Sequence, residues 1–90
     1  MQYVIKDTAN GYDYYFQKNH SKVIVFDTEI EAREFMEQFF GYAESQAQPM
    51  MFFGNTDIID QINKHYKETK IIPLPENLNR DIIYYKDMRR

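Results

Sequence analysis

The side chains that could carry chemistry in this chain are two histidines, a set of carboxylates and a few hydroxyl groups. The histidines are His20 and His65, and a histidine held beside an acid can act as a base or bind a metal. Neither has a carboxylate or a second histidine at ligand spacing on a common helix face. We therefore interpret His20 as an exposed turn residue and His65 as a solvated or hydrogen-bonded structural residue.

Other patterns that accompany catalysis or cofactor binding are also absent from the sequence. Ser21 and Ser45 lack the flanking glycines that expose a nucleophilic serine. The three glycines, Gly11, Gly41 and Gly54, are too far apart to form a phosphate-binding loop. The chain contains no cysteine, which excludes disulfides and thiolate zinc sites. The sequence therefore predicts a protein that is not an enzyme and has no catalytic residues, metal or cofactor.

The carboxylates are concentrated in one segment. Residues 27–48 contain six acids and one arginine, a net charge of −5, in a chain whose formal net charge is −3. The candidate partner-binding residues project away from the apolar side of a predicted helix and are Asp27, Glu31, Glu34, Glu37 and Glu44. They can form a solvated face in which Arg33 pairs with Glu29 and Glu37. They can also dock on a protein partner with a basic groove, and electrostatic steering would then accelerate the encounter.

Two alternative functions would depend on other residues. Nucleic-acid binding needs exposed aromatic residues beside basic ones, and the candidates are Tyr15 with Lys18, His20 and Lys22, and Tyr84 and Tyr85 with Lys86, Arg89 and Arg90. The negative net charge opposes phosphate attraction and a small domain needs its tyrosines for the core, so the sequence disfavours a nucleic-acid partner. A homodimer could form by edge pairing of a late strand that contains Tyr84 and Tyr85.

The elements that must position the acidic segment are a strand and the helix that follows it. Residues 23–26 form an apolar run that is typical of a buried strand. Thr28 and Glu31 match a capping box, in which the two side chains satisfy free backbone N–H groups at the helix start. One buried helix face is predicted by apolar residues at three- and four-residue spacing, which are Ala32, Phe35, Met36, Phe39 and Ala43. Gly41 allows a helix that stops near Phe40, but this spacing favours one that continues past Gly41 and ends by Pro49.

Two strands are predicted at the amino end of the chain, over residues 3–6 and 12–17, joined by a turn at an Asn-Gly pair. Residues 23–26 would complete a three-stranded antiparallel meander, in a central position or covered on both faces. In the second strand, alternation directs three aromatic residues towards the core, namely Tyr12, Tyr14 and Phe16.

The carboxyl half is predicted to contain a strand at residues 50–53 and a helix that begins after Thr56. The buried stripe of this second helix consists of Ile58, Ile59, Ile62 and Tyr66. Residues 71–72 can form a brief strand before two prolines. Residues 81–88 are interpreted as a strand, with a short helix capped by Asn79 as the alternative.

These elements define a single α+β domain over residues 1–90, an antiparallel sheet with two helices in the order βββαβαβ. No signal peptide or membrane-spanning run is recognised, so we expect a cytoplasmic protein without a membrane partner. A short, acidic, cysteine-free chain resembles in composition the small accessory proteins of phages and mobile elements. That resemblance implies an inhibitor or adaptor, of the anti-CRISPR kind, that occupies a site on a nucleic-acid-handling enzyme.

Overall fold

The computed structural model of the chain describes residues 1–51, 54 and 56–88. Within them the elements are, in chain order, β1 (Tyr3–Asp7), β2 (Tyr14–Tyr15), β3 (Gln17–Lys18), β4 (Lys22–Val25), α1 (Glu29–Met51), α2 (Asp57–Lys67), β5 (Thr69–Pro73), β6 (Ile82–Tyr84) and α3 (Tyr85–Met88). The fold is α+β, as the sequence predicts. The predicted order βββαβαβ is only partly right, because the chain has an additional strand in its first half, two adjacent helices and a short third helix.

The strands form two three-stranded sheets that meet at a corner. One has the order β2-β1-β5 with antiparallel neighbours, and the other has the order β3-β4-β6, in which β4 and β6 are parallel. At the corner, Tyr3 and Phe26 exchange two backbone hydrogen bonds of 2.8 Å. The Phe16 N–H donates to the Ile5 carbonyl oxygen at 2.9 Å, and the Phe16 carbonyl oxygen accepts from the Ile24 N–H at 3.0 Å. The predicted antiparallel pairing of residues 12–17 with residues 3–6 and with residues 23–26 is therefore formed. The three segments do not make one meander, because the second strand changes its partner at Phe16.

This change of partner also explains why the predicted alternation fails. Phe16 is buried as expected, but Tyr12 is 58% exposed and Tyr14 is 39% exposed. Tyr12 precedes β2, and β2 pairs with β1 over only two residues. So short a strand does not hold alternate side chains against the core, because register is enforced only where a whole face is buried.

The apolar run of β4 is central in its sheet and buried on both faces, as predicted. On one face, a cluster of buried residues joins the strands to α1 and comprises Ile5, Phe16, Ile24, Phe26, Ala32, Met36 and Phe40. The other face has a second cluster of Val4, Val23 and Val25. Leu74 and Leu78, from the connector between β5 and β6, pack against this second cluster. The sheet corner is thus covered on both sides, and α1 is held on one of them.

At the start of α1, the predicted cap by the Thr28 hydroxyl is formed. The Glu31 N–H donates to the Thr28 hydroxyl at 3.1 Å, and this hydroxyl donates to the Glu31 carboxylate at 3.4 Å. Thr56 also precedes its helix as predicted, but it makes no side-chain capping bond. Its backbone is already helical, with φ −96° and ψ −7°, whereas a capping side chain needs a more extended backbone to reach the first N–H groups.

The buried face of α1 matches the prediction at its first residues and differs at Phe39. Ala32 and Met36 are buried as expected, whereas Phe39 is 49% exposed. Its neighbour Phe40 is buried instead, and Ala47 continues the same face. The buried residues therefore follow a four-residue spacing along the first half of the helix, as expected for one stripe that lies on the sheet.

The helix is also longer than predicted. It continues past Gly41, as expected, but it ends at Met51 and contains Pro49. A proline near the last turn removes a single helical hydrogen bond there, and Ala47, two residues before it, is still buried. The strand predicted at residues 50–53 is wrong for its first two residues, which belong to α1. Its last two residues lie outside the described part of the chain.

The carboxyl half only partly matches the prediction. No residue of α2 is buried, since Ile58, Ile59 and Ile62 are half-buried and Tyr66 is exposed. β5 extends the strand predicted at residues 71–72 in both directions. A strand followed directly by a short helix occupies residues 82–88, so both interpretations of this segment are partly right, although the helix does not start at the predicted cap. None of the described helices is long and apolar enough to cross a membrane.

Candidate functional site

The acids that the sequence singles out lie on or beside the solvent side of α1. Four of them are exposed, namely Asp27, Glu34, Glu37 and Glu44, and Glu31 is half-buried. Successive helical residues are about 100° apart around the axis, so Glu31 and Glu37 are separated by about 120°. These five residues therefore form a broad surface rather than a single row, and we call it the acidic face of α1.

Side chains from other elements contact the two margins of the acidic face. At one margin, Lys86 Nζ of α3 lies 3.9 Å from Asp27 Oδ2. At the other margin, the Tyr66 hydroxyl of α2 donates to Glu37 Oε1 at 2.7 Å. The face is therefore flanked by α3 at Asp27 and by α2 at Glu37.

Few cations neutralise the acidic face. Among the described residues, the ion pairs within 4.0 Å are Lys6–Asp13, His65–Asp7 and Lys86–Asp27. The predicted pairs of Arg33 with Glu29 and Glu37 are not formed in this part of the chain. Glu34 and Glu44 likewise have no ionic partner within that distance among the described residues. The face thus presents most of its negative charge to solvent.

Two large apolar side chains stand among these acids. Ile30 is 71% exposed and Tyr42 is 69% exposed, and both belong to α1. A single exposed apolar residue is ordinary on a protein surface, but an exposed tyrosine is a frequent anchor of protein interfaces. The solvent side of α1 therefore combines exposed carboxylates with apolar groups that a partner could bury.

The hydrogen bond between Tyr66 and Glu37 changes the titration of the phenol. The pKa of Tyr66 is raised above its usual value of 10.0, chiefly because its hydroxyl donates to Glu37. Partial desolvation and the negative charge of Glu37 raise the pKa further, whereas Arg33 lowers it. The raised pKa favours the protonated phenol in the folded state. Its contribution to stability is therefore present below pH 10 and is lost as the pH rises through the raised pKa.

We expect Glu37→Gln to lower the pKa of Tyr66 back towards 10, because the variant removes both the charged acceptor and the repulsion of the phenolate. The measurement is a pH titration of carbon-13-labelled tyrosine rings by NMR, with Tyr66→Phe to assign the resonance. Glu44→Gln is the matched control, since it removes one negative charge from the same face without touching this hydrogen bond. Equal shifts in the two glutamine variants would show that general electrostatics, and not the hydrogen bond, sets the pKa.

A second polar site, made by β1 and α2, was not predicted. The Nδ1–H of His65 donates to Asp7 Oδ2 at 2.6 Å. The other carboxylate oxygen of Asp7 accepts from the Ala9 N–H at 2.8 Å, and the Thr69 hydroxyl donates to the His65 carbonyl oxygen. The Asp7 side chain is 11% exposed. The prediction that His65 has a solvated or hydrogen-bonded role is consistent with these contacts, but its acidic partner comes from a strand 58 residues away.

Asp7 and His65 line a cavity of about 270 Å³. Its walls include apolar residues of the sheet and of both long helices, which are Phe16, Phe39, Phe40, Ala43, Ile58 and Ile62. Tyr14 and Gln61 also line it. The cavity is thus an apolar recess with a few polar groups, which is the usual chemistry of small-molecule sites.

The Asp7–His65 pair orients the imidazole ring. With Nδ1–H donated to Asp7, the ring nitrogen that remains for other contacts is Nε2, which has no hydrogen-bond partner among the described residues. A neutral ring held in this way presents Nε2 as a hydrogen-bond acceptor or base. Within the same residues, no group of three or more histidines, cysteines and acids could hold a metal ion.

The structure also shows where the residues of the two alternative functions lie, namely nucleic-acid binding and formation of a homodimer. His20 is exposed in the turn between β3 and β4, as predicted, at φ 59°. The tyrosines proposed to stack on bases, Tyr15, Tyr84 and Tyr85, are half-buried and pack against the two core clusters. Arg89 and Arg90 lie outside the described residues. β6, the strand proposed to pair in a homodimer, is at the edge of its sheet, and the homodimer stays a prediction.

Comparison of this chain with protein-family models, curated protein sequences and solved structures finds no match. Inferences about the acidic face and the cavity therefore rest on their own geometry and charge.

Proposed function

We propose that this protein is a non-enzymatic binding module that docks the acidic face of α1 on a basic surface of a partner protein. The observation that carries the proposal is the exposure of Asp27, Glu34, Glu37 and Glu44 on that face, where Glu34 and Glu44 have no ionic partner within 4.0 Å among the described residues. The last turn of α1 also contains no basic residue, so the negative end of the helix dipole is not neutralised by its own side chains. Both features extend a negative potential along one side of the molecule.

The partner chemistry that fits best is a groove that otherwise holds nucleic acid. At a rise of about 1.5 Å per residue, the stretch of α1 from Glu31 to Glu44 is about 20 Å long. That length corresponds to about six nucleotide steps of a DNA strand, at about 3.4 Å per phosphate. A partner with lysines and arginines along such a groove would meet carboxylates over the same distance. The protein would then act as an inhibitor or adaptor that excludes nucleic acid, as an anti-CRISPR protein or another phage accessory protein does.

Rigidity supports this mode of binding. Ala32, Met36 and Phe40 pack in one cluster with strand residues and hold the first half of α1 on the sheet, so its carboxylates are presented without further ordering of the backbone. Interfaces that are ordered before binding lose less conformational entropy on association. Ile30 and Tyr42 would contribute desolvated contacts, while the acids would mainly raise the association rate and select a basic partner.

The test is a triple charge reversal, Glu34→Lys, Glu37→Lys and Glu44→Lys, which leaves the capping pair of Thr28 and Glu31 intact. We expect it to lower the affinity for the captured partner by about 100-fold or more at low salt, because attraction becomes repulsion at three sites. The partner is captured on the immobilised wild-type protein and identified by mass spectrometry, and its affinity for each variant is then measured by surface plasmon resonance.

The matched control reverses three exposed acids elsewhere, with Asp60→Lys, Glu68→Lys and Glu76→Lys. It makes the same change in net charge, and we expect it to retain most of the affinity. Added nucleic acid should release the captured partner, and added salt should slow its association. Equal affinity of the two triple variants would contradict the proposal, as would capture that nucleic acid does not affect.

A further inference from the structure

We infer that the cavity lined by α1, α2 and the Asp7–His65 pair is a binding site for a small planar aromatic molecule that carries one hydrogen-bond donor. The inference is independent of the proposed protein partner, because none of the five acids of the acidic face lines this cavity. Its volume sets the size of the ligand. An apolar cavity of about 150 Å³ accepts benzene, and sites for drug-sized molecules begin at about 300 Å³. A cavity of about 270 Å³ therefore suits a molecule of one or two rings.

The walls determine the shape and polarity of the ligand. Three phenylalanines line the cavity, and the ring centroids of Phe16 and Phe39 are 4.9 Å apart. Aromatic rings at such distances prefer offset or edge-to-face neighbours, which a further planar ring can provide. Two lining residues, Phe39 and Tyr14, are still partly exposed. A bound ring would remove their apolar surface from water, which favours binding.

The small side chain of Ala43 and the incomplete burial of α2 leave this space open. Ile58 and Ile62 line the cavity and are only half-buried. In a well-packed core, side chains of this size would be fully covered by their neighbours. The apolar surface between the two helices is therefore available to a ligand without disturbing either element.

His65 provides the polar specificity. Its Nδ1–H is donated to Asp7, and Asp7 is itself held by the Ala9 N–H, so the ring has a fixed orientation and presents Nε2 as an acceptor when neutral. A ligand with an N–H or O–H group satisfies that acceptor. An anionic ligand is disfavoured because the carboxylate of Asp7 lies on the same wall. These contacts select a neutral aromatic donor, such as a phenol or an indole.

The experiment is an NMR titration of the full chain, labelled at isoleucine methyl groups, with indole and separately with 1-methylindole. We expect indole to cause saturable shifts at Ile58 and Ile62. The methylated compound keeps the rings and lacks the N–H. We therefore expect it to bind about three- to tenfold more weakly, which is the ratio of affinities that corresponds to the net free energy of one hydrogen bond. Absence of saturable shifts, or equal affinity for the two compounds, would overturn the inference.

Two variants of α1 locate the binding. Ala43→Leu fills the cavity and should abolish the indole shifts, whereas Ser45→Leu adds the same side chain at an exposed position and should retain them. Indole shifts that persist in Ala43→Leu would contradict the inference. Nuclear Overhauser contacts between indole protons and the Ile58 and Ile62 methyl groups, measured on the wild-type chain, decide the matter if Ala43→Leu does not fold. Contacts to other isoleucines alone would exclude this cavity.

Discussion

Phe26→Ala is expected to lower the free energy of unfolding by about 3–5 kcal/mol, the usual cost of truncating a buried phenylalanine. Phe26 is completely buried, and its ring centroid lies 5.5 Å from that of Phe35 and 5.0 Å from that of Tyr85. It thus contacts both α1 and α3, while its backbone bonds to Tyr3 close the sheet corner. The cavity left by its removal would be shared by three elements and could not collapse without moving one of them.

The loss is large compared with the total stability of such a chain. At about 0.05–0.15 kcal/mol per residue, a 90-residue domain has a free energy of unfolding of about 5–13 kcal/mol. The measurement is urea-induced unfolding followed by circular dichroism. Phe39→Ala is the matched control, because Phe39 is the same residue type and contacts Phe16 at 4.9 Å between ring centroids but is about half-exposed, and we expect it to cost about 1 kcal/mol. A loss for Phe26→Ala no greater than that of the control would contradict this assignment of the core.

The elements that could be predicted are those encoded by neighbouring residues. Thr28 and Glu31 mark the start of α1 because capping depends on a three-residue spacing. The apolar run of β4 indicates a strand covered on both faces, and this strand is central in its sheet. The α+β class follows from these local features and was confirmed.

The division of the strands into two sheets, and the pairing of β1 with β5 and of β4 with β6, could not be predicted, because they depend on contacts between distant segments. Phe16 divides the second predicted strand between two sheets, and β4 takes the parallel strand β6 as its neighbour across almost 60 residues. Nothing in the local pattern of residues 12–17 distinguishes a straight strand from one that changes partner. The incorrect burial of Tyr12 and Tyr14 follows from that missing information.

Which of Phe39 and Phe40 is buried could not be predicted either, because it depends on the packing of α1 on the sheet. Both fit an apolar stripe at three- or four-residue spacing, since adjacent residues are only about 100° apart around a helix. Which one is buried depends on the direction in which α1 crosses the sheet. A sequence pattern defines the stripe to within about one residue, and the packing partner decides the rest.

The acidic face of α1 and the Asp7–His65 pair also differ in how far the sequence predicts them. The exposure of Glu34, Glu37 and Glu44 could be predicted, because they lie opposite the apolar stripe of one helix. The bond between Asp7 and His65 could not, because its two residues belong to different elements far apart in the chain. Interpreting His65 only from its own helix excluded the acid that β1 brings to it.

Asp7→Ala is expected to lower the free energy of unfolding by about 2–3 kcal/mol, because it removes the charged acceptor of two hydrogen bonds. These bonds come from His65 and from the Ala9 N–H, and their donors would be left partly buried without a partner. Urea unfolding measures the loss. Asp13→Ala is the matched control, since Asp13 pairs with Lys6 at 3.8 Å on the surface, and we expect it to cost about 0.5 kcal/mol or less.

A double-mutant cycle separates the two bonds of Asp7. If the contact with His65 dominates, Asp7→Ala and His65→Ala will be non-additive, with a coupling free energy of about 1–2 kcal/mol. Additive losses would mean that Asp7 stabilises mainly the turn at Ala9, and His65 would then not be held in a fixed orientation by the carboxylate. Because the hydrogen-bond preference of the cavity depends on that orientation, Asp7→Ala should also weaken the selection of indole over 1-methylindole. A non-additive cycle with unchanged selection would show that the pair contributes to stability alone.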